Sequence, residues 1–103
     1  MDYGKAADWT FDLAMDTARQ SDIAMNQLLL RLKLNEEDSR FGDDDFRKIL
    51  EVYSLKVRTT ELLKLTHLFR GTELEKEPLY ISSMSAMKGL ETKIIDIMKE
   101  RIS

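Results

Sequence analysis

An uninterrupted four–three alternation of small and apolar residues in the first third of the chain constrains its fold most strongly. Its members are Ala7, Phe11, Ala14, Ala18, Ser21, Met25, Leu28 and Leu32. Because an α-helix completes a turn every 3.6 residues, this spacing places them all on one helix face. Ser21 would also suit the N-cap of a new helix, but the unbroken alternation favours one helix over about 5–33. Its first half is mostly small, so we expect a neighbouring helix to approach that half closely.

Two polar breaks, at 35–45 and 71–77, separate this segment from two further helical segments. The run Asp43-Asp44-Asp45 supplies N-cap acceptors for a helix over about 44–70, and Gly71 suits the left-handed residue that ends it. Pro78 suits the first turn of a third helix over about 78–102. Long segments of near-equal length joined by short breaks predict an all-α fold, a single domain over 1–103 forming an antiparallel three-helix bundle.

The apolar residues of the second segment drift around the helix. One group comprises Phe46, Ile49, Leu50, Tyr53 and Val57. A second group, about 130° further round, comprises Leu55, Leu62, Leu65 and Phe69. We expect the two groups to contact different neighbours.

Two ionisable residues lie at the edges of apolar faces. His67, the one histidine, borders the apolar face of the second segment, where we expect hydrogen bonds to hold it. Glu91 lies within the apolar stripe of the third segment, between Met87 and Ile94. We expect its carboxylate to reach water or a base of the second segment.

The composition excludes most catalytic chemistry. The chain has 103 residues, no cysteine and one histidine, which removes disulfide scaffolds, cysteine-ligated metals and thiol mechanisms. It contains neither a serine in a nucleophile-elbow context nor a glycine-rich phosphate loop. We therefore expect a protein that is not an enzyme and needs no cofactor.

The N-terminus and the hydropathy pattern bear on location. No apolar run approaches the ~18 residues of a membrane-spanning helix. Met1 to Lys5 shows no basic stretch followed by an apolar one, the pattern of a signal peptide. We expect a cytoplasmic protein without a membrane partner.

Large apolar residues also lie away from the four–three alternation of the first segment. Trp9, Ile23 and Leu30 are the clearest examples. A helix that is apolar on two sides is usually buried on two sides. The pattern predicts a homo-oligomer, most simply a two-fold dimer with these residues at its interface. The alternative is a compact bundle that covers them internally.

Acidic residues are concentrated in residues 1–45, which carry a net charge of −6, whereas 46–70 carry +4. Asp8, Asp12 and Asp16 form a row at i, i+4 and i+8 on one helix face. This row would suit a basic protein surface or a divalent cation, or else a solvated face paired with the basic segment. A metal site in a bundle normally adds Glu-x-x-His, but Lys64 stands where that glutamate would precede His67.

A second acidic patch surrounds Phe41 in the first break. Asp43, Asp44 and Asp45 follow it, and Glu36, Glu37 and Asp38 precede it. Such a loop would imitate the phosphate spacing of a nucleic acid or dock on a basic protein surface. The alternative is a capping sequence in a well-hydrated turn.

The bases of the second segment offer two alternative functions. Arg47, Arg58 or Lys64 would hold a small anionic ligand, such as a nucleotide, between subunits. Nucleic-acid binding is disfavoured because the basic residues spread around the helix instead of forming one stripe. The sequence thus favours a small protein-interaction module, as a regulator, inhibitor or adaptor, whose partner is another protein, with the two alternatives behind it.

Overall fold

A computed structural model describes residues 2–34 and 42–102, with side chains described for 2–31 and 42–99. Three long helices make up nearly all of it: α1 over Tyr3–Leu34, α2 over Asp43–Arg70 and α3 over Pro78–Ile102. A 3₁₀ turn, Leu74–Lys76, lies between α2 and α3. The described part of the chain contains no strand, so the all-α prediction with three long helices is confirmed.

Local side-chain chemistry explains where the helices begin and end. The carboxylate of Asp2 accepts hydrogen bonds from the backbone N–H groups of Gly4 and Lys5, at 3.0 and 3.2 Å, and so caps α1. Gly71 ends α2 in the left-handed conformation, with φ of 68°, and its N–H bonds to the carbonyl of His67. Pro78 begins α3, as its fixed φ favours.

The start of α2 differs from the prediction in one respect. Gly42 is the N-cap residue, and the three aspartates lie in the first turn of the helix. The Asp45 carboxylate accepts a hydrogen bond from the Gly42 N–H at 3.2 Å and lies 3.3 Å from the Arg31 guanidinium. Asp45 is therefore a buried capping residue that also ties α2 to the end of α1.

Helix α2 occupies the centre of the fold. It packs against α1 along most of its length and against α3 on another side, whereas the described backbones of α1 and α3 do not touch. Side chains from all three helices nevertheless meet in one apolar cluster. Its buried members are Ala24 and Leu28 of α1, Ile49 and Val52 of α2, and Leu90 and Ile97 of α3. Both outer helices thus depend on α2 for their packing.

The face of α1 against α2 is the one that the four–three alternation predicted. Ala7, Ala14 and Ser21 are almost completely buried, as are Ala18 and Leu28. Opposite them α2 presents threonines: the Thr66 hydroxyl lies 2.8 Å from that of Thr10, and Thr59 and Thr60 are also buried. The small side chains bring the two helices close together, and each threonine hydroxyl bonds to a carbonyl of its own helix.

The predicted pair of apolar faces on α2 was wrong in part. Leu50 and Leu65 are exposed, although each belonged to a predicted contact face. The buried side runs instead through Val52, the threonines and Leu63. A buried threonine presents a methyl group while its hydroxyl bonds within the helix, so it serves as a small apolar residue here.

The prediction for His67 is confirmed. The imidazole is buried, its Nδ1 lies 2.7 Å from the Thr72 hydroxyl, and its Nε2 lies 3.2 Å from the Glu77 carboxylate. Its backbone carbonyl accepts a hydrogen bond from the Thr72 N–H. His67 thereby fastens the end of α2 to the segment that leads into α3.

The molecule is elongated, measuring 54 × 24 × 20 Å. Its accessible surface is 7326 Å². A compact monomer of the same mass, 12.0 kDa, would expose about 6,000 Å². None of the described helices is both long and apolar enough to cross a membrane.

Enlarging a buried small residue of α1 tests the close approach to α2. We expect Ala14→Leu to lower the free energy of unfolding by about 1–3 kcal/mol, because its extra carbons meet α2. Asn26→Leu, at an exposed position of the same helix, should change it by less than about 0.5 kcal/mol. Urea unfolding monitored by circular dichroism measures both values. Equal stability of the two variants would show that the interface has room to spare.

Removing the Asp45 carboxylate tests its capping role. We expect Asp45→Ala to cost about 1–2 kcal/mol, because it removes the Gly42 hydrogen bond and leaves Arg31 unpaired. Asp44→Ala is the matched control, since Asp44 is exposed and loses only its interaction with the helix dipole, about 0.3 kcal/mol. The same unfolding measurement compares the two variants. If Asp44→Ala costs as much, dipole charge and not capping accounts for the role of Asp45.

Candidate interaction surface

The side of α1 turned away from α2 carries an unusual mixture of large apolar and acidic residues. Trp9, Leu13, Ile23 and Leu30 are 64%, 55%, 59% and 62% exposed. Asp12 and Asp16 lie among them on the helix wheel. We call these six residues the outer face of α1. It is about 31 Å long at 1.5 Å per residue, with one apolar pair towards each end.

The predicted acidic row is exposed along its whole length. Asp8 lies 3.4 Å from the Arg70 guanidinium, and Asp16 lies 3.6 Å from that of Arg19. Asp12 makes no ion pair within the described residues. Ion pairs between exposed groups contribute at most about 1 kcal/mol, so a basic partner would displace Arg70 and Arg19 at little cost.

Two surfaces predicted separately coincide in the structure. The residues predicted for an oligomer interface, Trp9, Ile23 and Leu30, occupy the same face as Asp12 and Asp16. Sequence reasoning missed Leu13, which completes this face. The missed signal was a second four–three alternation: Trp9, Leu13, Asp16, Gln20, Ile23, Gln27 and Leu30. Its polar members hid it from a search for apolar residues.

The second predicted patch divides into three parts. Phe41 lies outside the described residues. Asp43 and Asp44 are exposed in the first turn of α2, where negative charge is favourable. Asp45 is 4% exposed and its carboxylate serves the cap described above. Contrary to the prediction, Asp45 is therefore not part of the exposed acidic patch.

The three bases predicted to hold an anionic ligand do not share a site. Arg58 lines a cleft of about 250 Å³ between α1 and α2, together with Leu13, Asp16, Thr17, Gln20 and Leu62. Lys64 lines a different depression, near His67 and Gly71, and bonds to the Glu61 carboxylate at 2.9 Å. That bond and the negative charge of Glu61 raise the pKa of Lys64. Arg47 lies near the opposite end of α2 and lines neither hollow.

Glu91 of α3 reaches out of its apolar stripe, as predicted. Its carboxylate is exposed and accepts a hydrogen bond from the Tyr53 hydroxyl of α2 at 2.8 Å. This bond, together with desolvation and the charge of Glu91, raises the pKa of Tyr53 above its usual value. We expected Glu91 to reach water or a base of the second helix. Its partner on α2 is instead the hydroxyl of a tyrosine.

Within residues 2–34 and 42–102, no three acidic or histidine side chains come together in a way that would hold a metal ion. No protein-family model, curated protein or solved structure matches this chain.

Proposed function

We propose that this chain is a small, non-enzymatic protein-interaction module that binds another protein through the outer face of α1. The observation that carries the proposal is the exposure of Trp9, Leu13, Ile23 and Leu30 on one side of one helix, interleaved with acidic residues. Exposed large apolar residues bordered by polar ones on one face are typical of interaction sites. Such a module acts as a regulator, inhibitor or adaptor.

The chemistry of the face specifies the kind of partner. Two apolar pairs near its ends would accept apolar anchors, and Trp9 is the residue type that most often dominates binding energy. Asp12 and Asp16, between these ends, favour basic side chains and speed the encounter with a basic surface. An amphipathic helix of about 20 residues, with bases between two apolar turns, matches the face in length and charge.

The architecture around the face supports this use. Contacts between α1 and α2 join Arg31 with Asp45 at one end and Asp8 with Arg70 at the other, so we infer an antiparallel arrangement. Helix α1 packs against α2 along most of its length, and a face that is already held in place loses little entropy on binding. The proposed compartment is the cytoplasm, and a homo-oligomer is the proposed assembly.

Reversing the charges of the face tests the proposal. We expect Asp12→Lys with Asp16→Lys to abolish retention of the natural partner on the immobilised protein. The partner is the protein that the wild type retains at low salt and releases as ionic strength rises. Glu73→Lys with Asp96→Lys makes the same change in net charge away from the face and should leave retention intact. Quantitative mass spectrometry of the eluates compares them.

The apolar anchor has a separate test. Trp9→Ala should weaken binding of the identified partner by about 30-fold or more, since an interfacial tryptophan contributes 2 kcal/mol or more. As the one tryptophan of the chain, Trp9 should also shift its emission to the blue when the partner covers it. A partner that binds the double lysine variant normally and leaves Trp9 emission unchanged would locate the function elsewhere.

A further inference from the structure

Helix α3 carries a second exposed alternation that the core does not use. Ile81, Met84, Lys88, Glu91, Ile95 and Met98 follow a regular three–four spacing, and we call them the α3 seam. Ile81, Ile95 and Met98 are 54%, 51% and 48% exposed. The buried residues of α3 lie on a different side, towards α2. Apart from the hydrogen bond of Glu91 with Tyr53, the exposed side of the seam faces solvent within the described chain.

The residues of the seam match those of a second seam that runs in the opposite direction. When two copies of α3 run in opposite directions, each seam residue of one copy faces the seam residue of the other copy whose residue number adds to its own to give 179. Ile81 then faces Met98 of the second copy, and Met84 faces Ile95. Between these apolar layers Lys88 faces Glu91, and Glu91 faces Lys88. Every apolar residue thus meets an apolar one, and every charge meets its opposite.

We propose that the α3 seam binds a second copy of this chain in an antiparallel, two-fold arrangement. Reciprocal Lys88–Glu91 ion pairs at the centre of the interface fix its register and direction. Lys88 is exposed and forms no ion pair within the described residues, although Glu91 lies one helical turn away. Its charge is thus free to meet a carboxylate of the second copy. The Tyr53 hydroxyl positions the Glu91 carboxylate from the side.

Parallel arrangements conflict with the charges. A parallel pair of α3 helices would place Lys88 against Lys88 and Glu91 against Glu91, and a parallel pair through the outer face of α1 would place Asp16 against Asp16. An antiparallel pair of α1 outer faces avoids that clash but gains no ion pair, because none of its six residues is basic. The antiparallel α3 pair alone matches opposite charges, and charge matching of this kind determines which pairing forms.

The shape of the seam agrees with a dimer of this kind. Ser85 and Thr92 flank the seam and are small enough to let the helices approach. A depression lined by Glu75, Tyr80, Ile81, Met84, Ser85 and Lys88 lies where Met98 of the second copy would enter.

Charge reversal at the centre of the seam tests the arrangement. Wild-type protein is expected to sediment as a dimer, at twice 12.0 kDa. Lys88→Glu and Glu91→Lys should each weaken dimerisation at least about tenfold, because each places like charges opposite each other. Combining both changes in one chain should restore the dimer. An equimolar mixture of the two single variants should form a heterodimer.

The controls separate this pairing from loss of folding and from the proposed function. Asp96→Lys, which reverses a charge elsewhere on α3, should remain dimeric, and circular dichroism should show equal helicity in all variants. Trp9 emission should stay constant as wild-type protein dimerises, whereas a dimer through the outer face of α1 would shift it. The Lys88→Glu monomer keeps the outer face of α1 and should still retain the partner protein.

Two outcomes would overturn the proposal. One is a wild-type protein that remains a monomer over a 100-fold range of protein concentration, up to the highest concentration at which it stays in solution. The other is a dimer that Lys88→Glu and Glu91→Lys leave intact. Neither outcome touches the partner-binding test on α1, so the two proposals fail independently.

Discussion

The close contact between α1 and α2 sets the conditions for the rest of the molecule. It is made of alanine, serine and threonine, which allow a short distance between the helix axes but bury few carbon atoms. Apolar burial is therefore concentrated in the cluster around Ile49 and Val52, where α3 also contributes. Large apolar side chains of α1 and α3 outside this cluster, such as Trp9 and Ile95, lie on outward faces. The packing that holds the helices together is thus the reason for the exposed surfaces.

A central α2 explains why these surfaces remain open. In a compact bundle each helix touches both others, and residues such as Trp9 or Ile95 would be shielded between neighbours. Here the described backbones of α1 and α3 do not meet, and each of these two outer helices has α2 as its one helical neighbour at backbone distance. The apolar cluster and the His67 fastening hold α3 in place. These contacts hold α1 and α3 against α2, but they leave the outward faces of both helices uncovered.

The sequence predicted features that depend on local chemistry and regular spacing. Helix ends followed from Pro78 and Gly71, and the buried face of α1 followed from the four–three alternation. The contact side of α2 was harder, because Thr59, Thr60 and Thr66 are buried there while Leu50 and Leu65 are exposed. A hydroxyl bonded within its own helix makes threonine apolar in practice, which no hydropathy pattern reveals. Tertiary contact alone decides such positions.

The candidate surfaces were predictable only in part, for a related reason. Asp8, Asp12 and Asp16 were recognisable as a row, and Trp9, Ile23 and Leu30 as excess apolar residues. Asp12 and Asp16 share the helix-wheel sector of the apolar set, but that this sector is the exposed one required the buried side of α1 to be known. Asp45 was indistinguishable from Asp43 and Asp44 by composition, and only its hydrogen bond to Gly42 separates them. A role in the fold and a role in binding can be told apart only by burial and partners.

The two proposed interfaces together define a bivalent molecule. The α3 seam and the outer face of α1 lie on helices whose described backbones do not touch, so pairing through one leaves the other open. A two-fold axis through α3 would then present two outer faces, related by symmetry. For a partner that is itself dimeric or repeated, the second contact becomes intramolecular and the overall affinity rises without any new side-chain contact. Each acidic, partly apolar face still binds a single partner when the copies separate, and pairing through Lys88 and Glu91 adds affinity for a partner that is itself dimeric or repeated.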